Sequence, residues 1–142
     1  MSVNVLTPAA VLVIWSIVML FWMASERLPA AKKMGLDISK AVGGRGSDLD
    51  PALPPPAAWK SHNYAHLMEQ PTIFYATIAI IAVAGTGSDM INVALAWAYV
   101  LIRIVHSIWQ STVNKVQTRF LLFMASTLCL IVLAVRALIA TL

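Results

Sequence analysis

Residues Asn92–Gln117 read NVALAWAYVLIRIVHSIWQSTVNKVQ, and the reading of this stretch decides the fold. Asn92, Tyr99, Arg103, His106, Gln110, Asn114 and Gln117 recur at spacings of three, four or seven. At ~100° per residue these positions share one face of a helix. The residues between them are mostly Ala, Val, Leu, Ile and Trp. A charged or strongly polar side chain in a membrane helix is costly, so it faces a partner, a cavity or a ligand. Two readings follow: interhelical glue, or one wall of a binding site. The stripe runs on toward Arg119, and its length favours the second.

Apolar runs flank this helix on both sides. The chain has 142 residues, 60% hydrophobic and 11% charged, with mean hydropathy +0.80. That composition lies far from soluble globular usage. Val5–Ala24, Leu67–Ala84, Met90–Ile108 and Phe120–Leu142 are each near the ~20 residues needed to cross ~30 Å of hydrocarbon. The expectation is an all-α integral membrane four-helix bundle, one domain over 1–142 with helices at about 5–25, 62–84, 90–114 and 118–141. The first run lacks the positive flank of a secretory signal, since no Lys or Arg precedes Arg27.

Charge placement orients the bundle. Arg27, Lys32, Lys33, Lys40, Arg45 and Lys60 lie in the loop 26–60, and Lys115 and Arg119 near the loop 111–118. The connection Gly85–Asp89 has no basic residue. Both basic loops are therefore expected to be cytoplasmic and both termini outside. The net charge of +4 mostly reflects this asymmetry and adds some attraction for anionic lipid or anionic small molecules. Nucleic acid is not an expected partner, because the basic residues are dispersed and the loop has no aromatic platform beyond Trp59. Cys129, the single cysteine, sits mid-helix and reads as a buried structural thiol. Any thiol chemistry would come from a ligand.

The second helix brings a further set of ionisable groups. His62, His66 and Glu69 share a face at its basic end, just before Pro71. Pro71 cannot donate its backbone hydrogen bond and crowds the Leu67 carbonyl, so it either starts or kinks the membrane portion and leaves polar backbone near Glu69. Glu69 and Arg103 in one bundle make an ion pair the simplest structural account. The spacing of His62 and His66 suits one helix face, but no His-Glu-x-x-His motif is present and no metal centre is expected. Arg119, near the start of the fourth helix, makes a positive site that favours an anion. If that anion is a thiolate, the thiol becomes a nucleophile at neutral pH. Its plainer role is an orientation charge that snorkels to the interface. The loop 26–60 divides into basic, Gly-rich and Pro-rich parts and reads as a linker closing on a stiff spacer. Loops of this length are often lids.

The stretches Asn63–Tyr75 (NYAHLMEQPTIFY) and Ala96–Ser107 (AWAYVLIRIVHS), then Asn114 and Arg119-Phe120, carry a resemblance. Together they resemble the membrane-associated proteins in eicosanoid and glutathione metabolism, over most of Trp59–Arg136. The family resemblance implies a homotrimer of four-helix subunits that binds glutathione as thiol cosubstrate between neighbours, near the cytoplasmic side. It further implies that Glu69 matches a glutathione-holding glutamate, with His66 where the family pattern has Asn and His62 where a variant has Arg. Arg103 and His106 match the Arg-x-x-His of the prostaglandin-synthase branch, and Arg119 falls near the arginine credited with stabilising the thiolate. Gln110 lies where eukaryotic members carry a glutathione-contacting Tyr. The implied binding set is His62, Asn63, His66, Glu69, Tyr99, Arg103, His106, Gln110 and Asn114, with Arg119 catalytic. The wording is similar to bacterial members, which implies the bacterial inner membrane.

The expected function is a membrane glutathione-dependent transferase or peroxidase acting on lipophilic electrophiles. Its rival is a non-catalytic protein on the same scaffold, its stripe serving as glue. A small drug exporter would want a carboxylate deep in the first helix, and none precedes Glu26. For the topology, cysteines placed at Gly44 and Gly87 are expected to label from opposite sides of the membrane. Same-side labelling overturns the orientation.

Overall fold

A computed structural model describes residues 4–40 and 42–142. Five helices form in chain order: α1 (Leu6–Lys33), α2 (Pro55–Leu67), α3 (Gln70–Val83), α4 (Met90–Thr112) and α5 (Val116–Thr141). Two short 3-10 turns, Ile38–Lys40 and Gly46–Ala52, sit between α1 and α2. No strand forms among the described residues. Four segments are long and apolar enough to cross a membrane, namely α1, α2 with α3 as Pro55–Val83, α4 and α5. The protein is an all-helical membrane protein with four spans.

The spans run up and down, so two ends are distinct. The loop end carries residues 34–54 and the α4–α5 turn; the far end carries the α3–α4 turn and the close of α5. α4 packs against α1, α2 and α5, while α3 packs against α1 and α5. The core between them holds Leu12, Met19, Leu67, Phe74, Ile78 and Leu133, with Tyr99 stacked on Phe74 at 4.2 Å between centroids. Phe21, Val83, Leu121, Leu128 and Ile139 are exposed on the perimeter. An apolar perimeter suits lipid, where water would reject it.

Two helices outrun the expected limits. α1 was expected to end near residue 25 and reaches Lys33; α2 was expected to begin near 62 and begins at Pro55. Charged residues such as Glu26 and Arg27 end the apolar run without ending the helix. Lys32 and Lys33 occupy the last turn, where cations favour the helix dipole. Left-handed Gly35 (φ 77°) then turns the chain. Pro55 and Pro56, read from sequence as a spacer, take the first helical positions, where a missing N–H costs nothing. The connecting loop therefore shortens to residues 34–54. Arg27 ties it down, pairing with Asp50 at 2.9 Å and donating to the Gly46 carbonyl and to Ser61 of α2.

At the far end Asp89 caps α4. Its carboxylate accepts from the Ile91 and Asn92 amides at 2.9 and 3.2 Å and from Arg136 of α5 at 2.8 Å. Arg136 also donates to Asn92, whose own amide reaches the Thr86 carbonyl at 3.0 Å. The Asn92 amide first, then the Ile91 amide and Arg136, hold the Asp89 carboxyl below its ordinary range against the opposing effect of burial. A lowered folded value means stabilisation above the unfolded aspartate pKa, lost as pH falls through the folded one. Asp89→Ala is therefore expected to lower the thermal midpoint of the detergent-solubilised protein at neutral pH. The gap from wild type should close in acid below the aspartate range. A constant gap at all pH values would contradict this account of the cap.

Candidate functional site

Arg103 lies near the middle of α4 and is fully buried. Its Nη2 donates to the His66 carbonyl at 3.2 Å, and its Nη1 faces His66 Nε2 at 3.5 Å. That carbonyl is within reach because the second span breaks. In an unbroken helix it would accept the amide four residues on, that of Gln70. Instead α2 ends at Leu67 and α3 starts at Gln70, with Glu69 at φ −87°, ψ −95° between them. Pro71, in the first turn of α3, has no N–H for the Leu67 carbonyl and crowds it. Of the two expected outcomes, a start or a kink, Pro71 stands at the start of α3 after a full interruption. Arg103 shares the His66 carbonyl with the Glu69 amide, which donates to it at 3.4 Å.

Glu69 stands at the break, exposed, and its Oε2 lies 3.0 Å from His66 Nδ1. With Nδ1 as donor to the carboxylate, Nε2 is left as acceptor toward Arg103. The simple Glu69–Arg103 pair read from sequence is therefore an indirect chain through His66. The His66 ring packs 5.1 Å from that of His106 and 5.6 Å from that of Phe123.

Beside these rings a cavity of about 210 Å³ opens between α2, α4 and α5, lined by His66, His106, Val116, Arg119, Phe120 and Phe123. Of the expected site residues, His66, His106 and Arg119 line it. Glu69 touches His66 from the rim, and Arg103 stands behind it. Asn114 accepts from Arg119 at 2.8 Å. Gln110 is buried beside the cavity with its Oε1 unpartnered.

Three expected residues fall elsewhere. His62 turns to Asp50 of the loop at 3.4 Å. Asn63 donates to Ser107 at 2.7 Å, on the side where Trp15 of α1 donates to the same hydroxyl at 3.0 Å. Tyr99 reaches Gln70 at 3.3 Å, and Gln70 in turn reaches Thr127 of α5 at 2.9 Å. No described residue of the loop 34–54 lines the cavity. No group of three or more metal-ligating side chains gathers among the described residues.

The sequence reading missed the Trp15–Ser107–Asn63 node and the Phe123 wall. Ser107 follows Arg103 by four and Phe123 follows Arg119 by four, so helical spacing carried both signals. α4 also carries unpaired atoms, of which only that of His106 belongs to a residue lining the cavity. Arg103 Nε, His106 Nε2, Gln110 Oε1 and Ser111 Oγ are buried without a hydrogen-bond partner. Native proteins leave few such groups, and a cluster of them marks a place for ligand or water.

A bundle of four apolar helical spans with a cavity beside its polar stripe is an integral membrane protein. The MAPEG family model matches residues 5–139, nearly the whole chain, and the protein belongs to that family. No curated protein and no solved structure matches it. Membership supports, in general terms, a glutathione-related transferase, peroxidase-type or related function in the membrane.

Proposed function

We propose that this protein is a glutathione-dependent transferase or peroxidase acting on lipophilic electrophiles, with Arg119 stabilising the thiolate. The observation that carries the reading is the Arg119 guanidinium at a cavity backed by two histidines and walled by Phe120 and Phe123. A cation beside a bound sulfur favours loss of the thiol proton. The thiolate then attacks an electrophilic carbon and expels its leaving group. With a hydroperoxide, two thiols yield one disulfide, one alcohol and one water. The exposed Glu69 carboxylate suits the glutathione ammonium. Arg103 contributes positive potential from behind His66, and direct contact with a ligand carboxylate is blocked by that ring.

The residues fit glutathione as half a site. Ligand pockets commonly span roughly 300–1,000 Å³, and this cavity has about 210 Å³. The glutathione carboxylates need cations, yet Arg103 is engaged by His66. A second copy supplying the missing wall accounts for both shortfalls, and we take the assembly to be a homotrimer. The number three rests on the family. With basic loops cytoplasmic, glutathione enters from that side and the lipophilic substrate from the bilayer.

A second reading has its own support. Stripe residues bond across helices, Tyr99 to Gln70, Asn92 to Arg136 and Arg103 to His66. On that reading the protein is a non-catalytic scaffold.

The two readings part on a titration of the purified protein with glutathione, followed by calorimetry and by thiolate absorbance against pH. Arg119→Ala should raise the bound thiol pKa by about one unit, ~1.4 kcal/mol of lost thiolate stabilisation, with affinity largely kept. Arg119→Lys should recover only part, having the charge without the planar fork. Glu69→Gln should weaken binding several-fold and leave the thiol titration in place. Equal titrations in wild type and Arg119→Ala would remove the catalytic role, and no binding in wild type would favour the scaffold. For the assembly, native mass spectrometry in mild detergent should give a trimer; monomer alone would count against it.

A further inference from the structure

Asn114 was expected to contact glutathione, and its geometry points to another task. It occupies the α4–α5 turn with φ 54°, and no other described non-glycine residue has a positive φ. Asn is the residue after Gly that best tolerates this left-handed conformation at a helix C-terminus. Its amide nitrogen donates to the Trp109 carbonyl at 2.8 Å, beside a 3.0 Å bond from Val113 to the same oxygen. The Trp109 indole closes the turn by donating to the Lys115 carbonyl at 3.4 Å. The backbone of Asn114 is therefore fixed from two sides.

From that fixed backbone its side-chain oxygen accepts from Arg119 Nη1 at 2.8 Å. Arg119 lines the cavity and Asn114 does not. A long arginine one turn into a helix, close to the membrane boundary, otherwise has the freedom to snorkel outward. A guanidinium tied at one nitrogen by a rigid amide loses that freedom and keeps its remaining donors on the cavity side. The amide is also neutral. A carboxylate in its place would pair with the guanidinium and cancel the positive potential a thiolate needs.

We infer that Asn114 is a positioning residue, which holds Arg119 at the cavity and leaves its charge uncompensated. The inference rests on the glutathione reading above and adds a residue that acts through Arg119. It explains one left-handed asparagine by a backbone demand and a side-chain demand together, since glycine meets only the first.

Asn114→Gly tests this cleanly, because glycine accepts the left-handed turn at no steric cost. With glutathione bound to the solubilised protein, Asn114→Gly should cut the thiolate fraction below the midpoint pH several-fold, toward the roughly tenfold loss expected of Arg119→Ala. In an Arg119→Ala background the same change should alter nothing, because the partner is gone. Asn114→Asp keeps an acceptor and tolerates the backbone, and should raise the thiol pKa at least as much as the glycine variant. Additive effects of Asn114→Gly and Arg119→Ala, or weakened affinity with an unchanged thiol titration, would overturn the inference in favour of direct ligand contact. A wild type that binds glutathione as the neutral thiol overturns it as well. Failure of wild type to bind glutathione at all would remove the underlying reading and this inference with it.

Discussion

The solvation of one guanidinium governs this bundle. Arg103 is fully buried near the middle of a membrane span, where a donor without an acceptor is costly; its two Nη atoms have partners and its Nε has none. Carbonyls inside an intact helix already accept one backbone N–H, and only side chains on the same helix add a second bond to them here, as Ser16 does to Leu12. The break at Met68–Glu69 supplies what the fold lacks. It presents the His66 carbonyl to Arg103, turns the His66 ring toward His106 and leaves Glu69 at the bend. Pro71, a residue with no polar side chain, thus stands at the break whose carbonyl Arg103 contacts. The cavity takes its polar wall from the same interruption.

Much of this was legible in the residues. Between Asn92 and Gln110 the stripe is buried as its spacing requires, and the kink near Glu69 was written in Pro71. The limits of α1 and α2 were not. Hydropathy marks where a chain leaves hydrocarbon, and helices such as α1 continue beyond that point on their own hydrogen bonds. His62 went astray for a related reason. It lies one turn from His66, but its partner Asp50 comes from a loop whose path no local pattern encodes. The end of the stripe failed differently. Asn114 and Gln117 keep helical spacing, yet Asn114 turns the chain and Gln117 starts the next helix with its side chain exposed. The tolerance of Asn for left-handed backbone was a signal in plain sight, hidden by a period that happened to fit.

Family membership and geometry bear on different questions. The match over residues 5–139 places the chain among membrane proteins of glutathione-related function. The structure says what one subunit brings: a cation held by a neutral amide, two packed imidazoles, an exposed carboxylate and unpaired atoms on α4. Its cavity is small, about 210 Å³, with Arg119 as the one cation in its described lining.

The overhang of α1 reaches past the single molecule. Its 28 residues extend about 42 Å at ~1.5 Å per residue, some 12 Å more than a typical ~30 Å hydrocarbon core. The surplus carries Arg27 and its ion pair with Asp50. A thicker bilayer would draw exposed Glu26 and the basic last turn, Lys32 and Lys33, toward lipid, while a thinner one would bare apolar helix. That charged end therefore acts as a draught mark on a hull. A helix of this length sits best where the hydrocarbon ends near its charged residues, and each ångström of mismatch carries a modest cost.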